Sequence, residues 1–336
     1  MNRTYLYLII FLVLGGATYW MVTESQKDEK TSLLGADRKF KVEDPEQIQK
    51  IFIADRKEHI TTLERSGDHW IYNKKYKARP NAMDNLIDAI TRVEIKYQPP
   101  AQAVKHMVTS LATEGLKVEI YDKKDRLIKA YYVGGSTSDE RGTFMMMADA
   151  NQPYVTNLPN WSGNIRFRYN LLGDDWRDVV IFGSKMEDIT AVEVEYPKQR
   201  NKSFKIEKEG NDFSVKPYYE ITPKSNKPAA PGKIEQYLIG FEKVSCVGFD
   251  NLNEQKDSIS GSLPFCSIKL EKKDGTFTQL SLFPVQPEAR FDAKTGAPLP
   301  LAEVENYYGL LNGEDFIVVS NAVIKNLLWA YEFFYE

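Results

Sequence analysis

The richest polar constellation in the chain is VGGSTSDERGTF, from Val133 to Phe144. Gly134 and Gly135 would let backbone N–H groups approach an anion, and Ser136, Thr137 and Arg141 would add donors around it. The same composition fits a strand-to-strand loop in which glycine supplies backbone angles other residues avoid. These five residues are the candidate interaction loop. A basic run, Lys74, Lys75, Lys77 and Arg79, could meet anionic headgroups or an acidic partner, or could line a solvated hairpin edge. Asp174 and Asp175 beside Trp176 form an acidic pair, read as water-facing rather than catalytic.

Other chemistry is poorly supplied. The 336 residues hold 3 His and 2 Cys. His59, His69 and His106 share no local metal-ligand spacing, so no metal site is expected. There is no G-x-S-x-G, G-x-x-x-x-G-K-[ST], H-E-x-x-H or C-x-x-C, and neither catalytic residues nor a cofactor are assigned. With 44 Lys and Arg against 47 Asp and Glu, the net charge of -3 gives no electrostatic footprint for a nucleic acid. Carboxylate-only chemistry stays open, because acidic pairs can form in space without a linear motif.

The elements that would carry these residues repeat. Ile48, Ile51 and Ile53 precede HITTLERSGDHWIYN, and Ile189, Val192 and Val194 precede SFKIEKEGNDFSV. Both stretches alternate as hairpins do, with Ser66-Gly67-Asp68 and Glu209-Gly210-Asn211-Asp212 at the turns. A helix follows each. Met83, Leu86, Ile87, Ile90 and Val93 have helical spacing behind Pro80 and the cap residue Asn81. Ile234, Tyr237, Leu238, Phe241 and Val244 repeat that spacing behind Pro231 and Gly232, all five at one common offset of about 150 residues. Two further strands around a Lys-Asp turn follow, and each unit closes with another strand pair, TFMMMADANQPYVTNL and YYGLLNGEDFIVVSN. The expectation is an α+β fold: two tandem repeats of mostly antiparallel sheet, each covered by one amphipathic helix.

On the same offset, Cys246 and Cys266 correspond to the apolar Ile95 and Leu116. They are read as buried thiols, with a disulfide left open because an oxidising compartment would permit one. The C-terminal NAVIKNLLWAYEFFYE reads as an amphipathic helix presenting Val323, Leu327, Leu328, Tyr331 and Phe334, either to the second unit's core or to a partner or membrane surface.

Residues 4–23, TYLYLIIFLVLGGATYWMVT, carry no charge and are long enough to span a bilayer as a helix. Arg3 and the amino terminus precede the run, while Glu24, Asp28 and Glu29 outnumber Lys27 and Lys30 after it, which predicts export of the rest. A cleavable signal peptide is the rival reading, with Gly15 and Ala17 as the cleavage pair. The expected division is an anchor over 1–23, a stalk over 24–39, a first repeat over 40–180 and a second over 181–336.

The segment ending ATYWMV, the run FKVEDPEQIQKIFIADR, and the blocks WIYNKKYKARPNAMDNLIDAI and KAYYVGGSTSDERGTFMMM together resemble a bacterial domain-of-unknown-function family, numbered 4340. The likeness is close from about residue 1 to 170 and looser beyond. It implies an inner-membrane-anchored envelope protein, and an accessory role beside gliding-motility-type ABC transporters, whose genes often neighbour those of the family. It assigns no catalytic residues. The leading expectation is therefore a non-enzymatic, single-pass inner-membrane protein with a periplasmic ectodomain that binds envelope or inner-membrane proteins, ABC transporter subunits among them. A glycan- or lipid-binding module, using Tyr218, Tyr219, Tyr307 and Tyr308 as loop aromatics, is the alternative. A hydrolase with an unrecognised carboxylate site is the third. The loops Gly134 to Arg141 and Pro284 to Glu305 are the expected contact surfaces.

Overall fold

The computed structural model describes residues 35–286 and 303–336. The anchor read over residues 4–23 and most of the Pro284 to Glu305 loop lie outside the described residues. Among the described residues no helix is long and apolar enough to cross a membrane. The chain divides into two compact units between Asp178 and Val179.

In the first unit β1 (Lys50–Ala54), β2 (Ile60–Ser66), β3 (His69–Tyr72) and β4 (Tyr76–Lys77) form successive hairpins. Helix α1 (Pro80–Arg92) then carries the chain to the far edge, where β5 (Glu94–Tyr97) lies. Helix α2 (Ala101–Glu114) follows, then β6 (Leu116–Tyr121), β7 (Leu127–Ser136), β8 (Thr143–Met147) and β9 (Tyr154–Asn157). The nine-stranded sheet has the order β4-β3-β2-β1-β6-β7-β8-β9-β5, with every pairing antiparallel.

The second unit opens with β10 (Val180–Phe182), then β11 (Ile189–Glu195), β12 (Phe204–Glu209) and β13 (Asp212–Pro217). Helix α3 (Lys233–Ile239), β14 (Val244–Ser245), β15 (Gly248–Phe249) and α4 (Lys256–Ser260) come next. The unit ends with β16 (Cys266–Lys272), β17 (Phe277–Pro284), β18 (Asn306–Leu311), β19 (Asp315–Ser320) and α5 (Asn321–Ile324). Its eight-stranded sheet runs β13-β12-β11-β16-β17-β18-β19-β15, while β10 and β14 pair separately.

The repeated sheet architecture is exact in register at the centre. Ile51 of β1 lies between Leu63 and Ile120, and Val192 of β11 lies between Ile206 and Leu270. All six side chains are buried. Both first hairpins turn on a glycine with positive φ, Gly67 (φ 62) and Gly210 (φ 67), as the twist of a tight hairpin requires.

Three expectations need correction. One covering helix per unit is too few for the first. Helix α1 buries Met83, Leu86, Ala89 and Ile90 in the main core, but α2 packs through Leu111 on the other side of β7. A Cβ on Gly134 would lie 2.8 Å from Leu111 Cδ2. The α1 cap is also different: Arg79 holds the N-cap position without a side-chain bond, and Pro80 starts the helix, where its missing N–H costs nothing. Residues 36–38, at the end of the expected stalk, form a 3-10 turn. There the Tyr154 hydroxyl donates to Asp37 Oδ2 at 2.7 Å and Arg38 Nε donates to the Tyr154 oxygen at 3.1 Å. Phe40 is buried edge-on against Tyr131 and Tyr154.

Finally, the C-terminal stretch is not one helix. It is α5, a 3-10 turn over Lys325–Leu327 and another over Tyr331–Phe334. Its buried set is Ile324, Leu327, Ala330, Tyr331 and Phe334, and these complete the second core. Leu328 is half-buried and Val323 is 38% exposed. Helix α3 is short as well, ending before Gly240, so that Phe241 lies beyond it and Val244 in β14, yet all five repeat-marked residues from Ile234 to Val244 are buried.

No disulfide links Cys246 and Cys266, and both are buried. Burial pushes the Cys266 thiol well above its ordinary range, which suppresses the reactive thiolate. Mass spectrometry of the non-reduced chain is expected to show no peptide joining the two. Both should resist alkylation until the second unit unfolds, and rapid labelling of Cys266 in the native protein would contradict its burial.

Candidate functional site

The five residues of the candidate loop fall on the hairpin between β7 and β8. Gly134, Gly135 and Ser136 are still in β7, and Ser136 pairs with Thr143. Gly134 is there for close packing, as the Leu111 approach shows. At the tip the Thr137 hydroxyl and the Arg141 backbone N–H both donate to Asp139 Oδ1. The hydrogen bond from Thr137, then that from Arg141, holds the Asp139 carboxyl below its usual range. A carboxylate thus occupies the position an anion would take, and two of the expected donors are engaged by it. The Ser138 to Arg141 tip is exposed, so the loop remains a surface for contact, with the Thr137 hydroxyl and the Arg141 backbone N–H already engaged by Asp139.

The remaining candidates are placed in structural pairs. Lys77 Nζ lies 3.0 Å from Asp178, Arg79 Nε donates to the Arg177 carbonyl at 3.3 Å, and Lys75 sits over the Tyr76 ring at 4.7 Å. Lys74 adopts a positive φ of 60 in the turn before β4. Asp174 binds Arg177 at 3.0 Å, and the neighbouring Trp176 is buried with its Nε1 donating to the Leu171 carbonyl at 2.8 Å. His59 and His69 meet Asp55 and Asp68 at 2.7 and 3.0 Å, and His106 lies exposed on α2. Among the described residues no group of three or more His, Cys, Asp or Glu is placed to hold a metal ion.

The four tyrosines proposed as loop aromatics are not exposed. Tyr307 is buried, Tyr308 stacks on Phe316 at 5.1 Å, and both lie in β18. Tyr218 and Tyr219 pack on each other at 4.9 Å, and the Tyr219 hydroxyl donates to Glu195.

The sequence reading missed a cluster on the solvent side of α1. A 3-10 turn over Arg166–Arg168 crosses the helix there. Arg168 is buried, and its Nη1 donates to Asp88 Oδ2 at 2.6 Å and to the Asn85 carbonyl at 3.2 Å. Arg92 Nη1 takes the other Asp88 oxygen at 2.8 Å. Trp161 and Phe167 cover the Arg168 guanidinium at 5.0 and 5.7 Å, with their own ring centroids 5.7 Å apart. Burial would raise the Asp88 pKa, but the bonds from Arg92 and Arg168 outweigh it and hold the carboxyl below its usual range. No linear motif announces this cluster, since Asp88 and Arg168 are far apart in sequence. The one local hint is the Trp161-to-Arg168 run of two aromatics and two arginines.

The lowered Asp88 pKa fixes the sign of a pH effect. The unfolded carboxyl binds protons more tightly, so the stabilisation is complete above the unfolded pKa of roughly 4 and is lost as pH falls through the folded value. Asp88→Asn is expected to destabilise the chain by about 2 kcal/mol at neutral pH. Its unfolding midpoint should converge with the parent's as pH drops below about 4. A gap that persists undiminished to pH 2 would show that the ion pairs are not its source.

A family model described as a domain of unknown function (DUF4340) matches residues 70–259, a stretch that begins later and ends further along the chain than the close part of the likeness read from the sequence. No curated protein matches the chain, and no solved structure matches it.

Proposed function

The chain belongs to the DUF4340 family of domains of unknown function, and from that premise we propose that it is a non-enzymatic binding protein of the bacterial envelope. In this reading residues 4–23 anchor it in the inner membrane. The duplicated ectodomain stands in the periplasm and binds other envelope components, in its finer form as an accessory of an ABC-type exporter.

One observation carries the binding part of the reading. Eight described carboxylates, Asp55, Asp68, Asp88, Glu119, Asp122, Asp139, Glu209 and Asp274, are shifted down. Ion-paired and capping carboxylates behave this way, whereas a general acid working near neutral pH needs its pKa raised. The charged groups are thus used to hold two equivalent sheet scaffolds. Such scaffolds present loops and faces for contact.

The test is co-purification of the full chain from native membranes, with protease accessibility in spheroplasts read in parallel. A reproducible set of envelope proteins and digestion of the ectodomain only after the outer membrane is breached are expected. A mature N-terminus near Thr18 would remove the anchor. Full complementation by an exported, untethered ectodomain would count against a membrane-tethered partner.

A further inference from the structure

The Asp88 cluster is one acceptor short. Two guanidinium groups, Arg92 and Arg168, share a single carboxylate, which leaves one positive charge uncompensated within the cluster. Arg168 Nε, on a side chain only 7% exposed, has no hydrogen-bond acceptor. A buried donor without a partner costs free energy comparable to a lost hydrogen bond. Over this donor lie Trp161 and Phe167, which remain 41% and 45% exposed. Large aromatics left half in water beside an arginine have the composition of an interface hot spot, where Trp and Arg are enriched. The backing is rigid: Arg168 is tied to α1, the Arg92 Nη2 reaches the Pro159 carbonyl at 3.4 Å, and Trp161 Nε1 reaches the Asn164 carbonyl at 3.4 Å.

We infer that the Trp161–Phe167 face, with Arg168 beneath it and Arg92 at its side, receives an acidic segment of a protein partner whose apolar side chains cover the two rings. Charge complementarity selects this occupant. An incoming carboxylate beside the half-exposed Arg92 supplies the missing negative charge, and apolar neighbours remove the rings from water. The inference rests on the envelope-binding reading and gives it a surface and a partner chemistry.

The test uses the full chain in detergent micelles and a fluorescein-labelled peptide of alternating Leu and Glu, read by anisotropy. Its Leu/Gln counterpart and a labelled tetragalacturonate serve as separate arms. Saturable binding of the Leu/Glu peptide is expected, with at least about ten-fold weaker binding of the Leu/Gln form. Trp161→Ala with Phe167→Ala should cost about ten-fold or more while leaving every charge in place. Arg92→Gln, on the outer turn of α1, should weaken binding even if the ring variant is unstable, and added salt should act in the same direction. Absence of saturable binding, equal binding of the Leu/Gln peptide, undiminished binding by folded ring or Arg92 variants, or capture of the acidic sugar instead would each overturn it. A negative result with envelope proteins still co-purifying removes this site alone, whereas loss of those proteins from the wild-type preparation removes the broader reading.

Discussion

Ile90→Asp is expected to unfold the first unit or lower its stability by at least about 3 kcal/mol. Ile90 is fully buried in α1, in one cluster with Leu86, Val118, Tyr131 and Trp176. An aspartate there has no cation among those neighbours, so it must be buried charged and unpaired or be protonated at a similar cost. The effect should be larger than for Ile87→Asp one turn earlier, since Ile87 is only half-buried. Denaturant unfolding of the two variants measures the difference. Equal and small effects would show that α1 does not pack through the face described.

Phe334→Ala should cost the second unit about 3 to 5 kcal/mol. Phe334 is fully buried, with ring centroids 4.9 Å from Phe204, 5.6 Å from Tyr237 and 5.4 Å from Trp329. It therefore closes the junction between β12, α3 and the C-terminal turns. Val323→Ala makes the contrast. A continuous amphipathic helix would place Val323 on the same buried stripe, but its exposure in α5 predicts a change within about 0.5 kcal/mol. Comparable losses from both substitutions would restore the continuous helix. Retention of the parent melting curve by Phe334→Ala would show that the terminus is not part of the core.

What the sequence made legible follows from where the periodic signal is strong. Ile51 and Ile53 alternate with the less buried Lys50, Phe52 and Ala54, and Val192 and Val194 with the less buried Ala191, Glu193 and Glu195, because each central strand has one face in a core, and the offset between them exposes the duplication. The α1 stripe was legible for the same reason. Helix α2 was not, beyond a short segment around His106, because it buries only Met107 and Leu111, leaving Val104 and Val108 half-buried and Ala101 and Ala112 exposed, so no apolar stripe like that of α1 marks it. The C-terminal turns carry a helical spacing of apolar residues without forming a long helix. There tertiary packing of aromatics overrode local periodicity. For the candidate loop, the sequence located a Gly-rich hairpin correctly but could not reveal that Leu111 explains Gly134 or that Asp139 occupies its tip. The Asp88–Arg168 cluster joins residues whose proximity is created only when the 166–168 turn crosses α1.

The docking of Arg38 and Phe40 beside Tyr154 has a mechanical consequence. A pull on the chain at Gly35 is taken first by the Arg38–Tyr154 and Asp37–Tyr154 bonds and by the Phe40 ring, with Lys129 Nζ holding the Lys39 carbonyl at 2.7 Å. These contacts sit on β7 and β9, across the sheet from the chain's own entry into β1. Tension applied at Gly35 would therefore load strands distant in sequence, β7 and β9, before it reached the first hairpin.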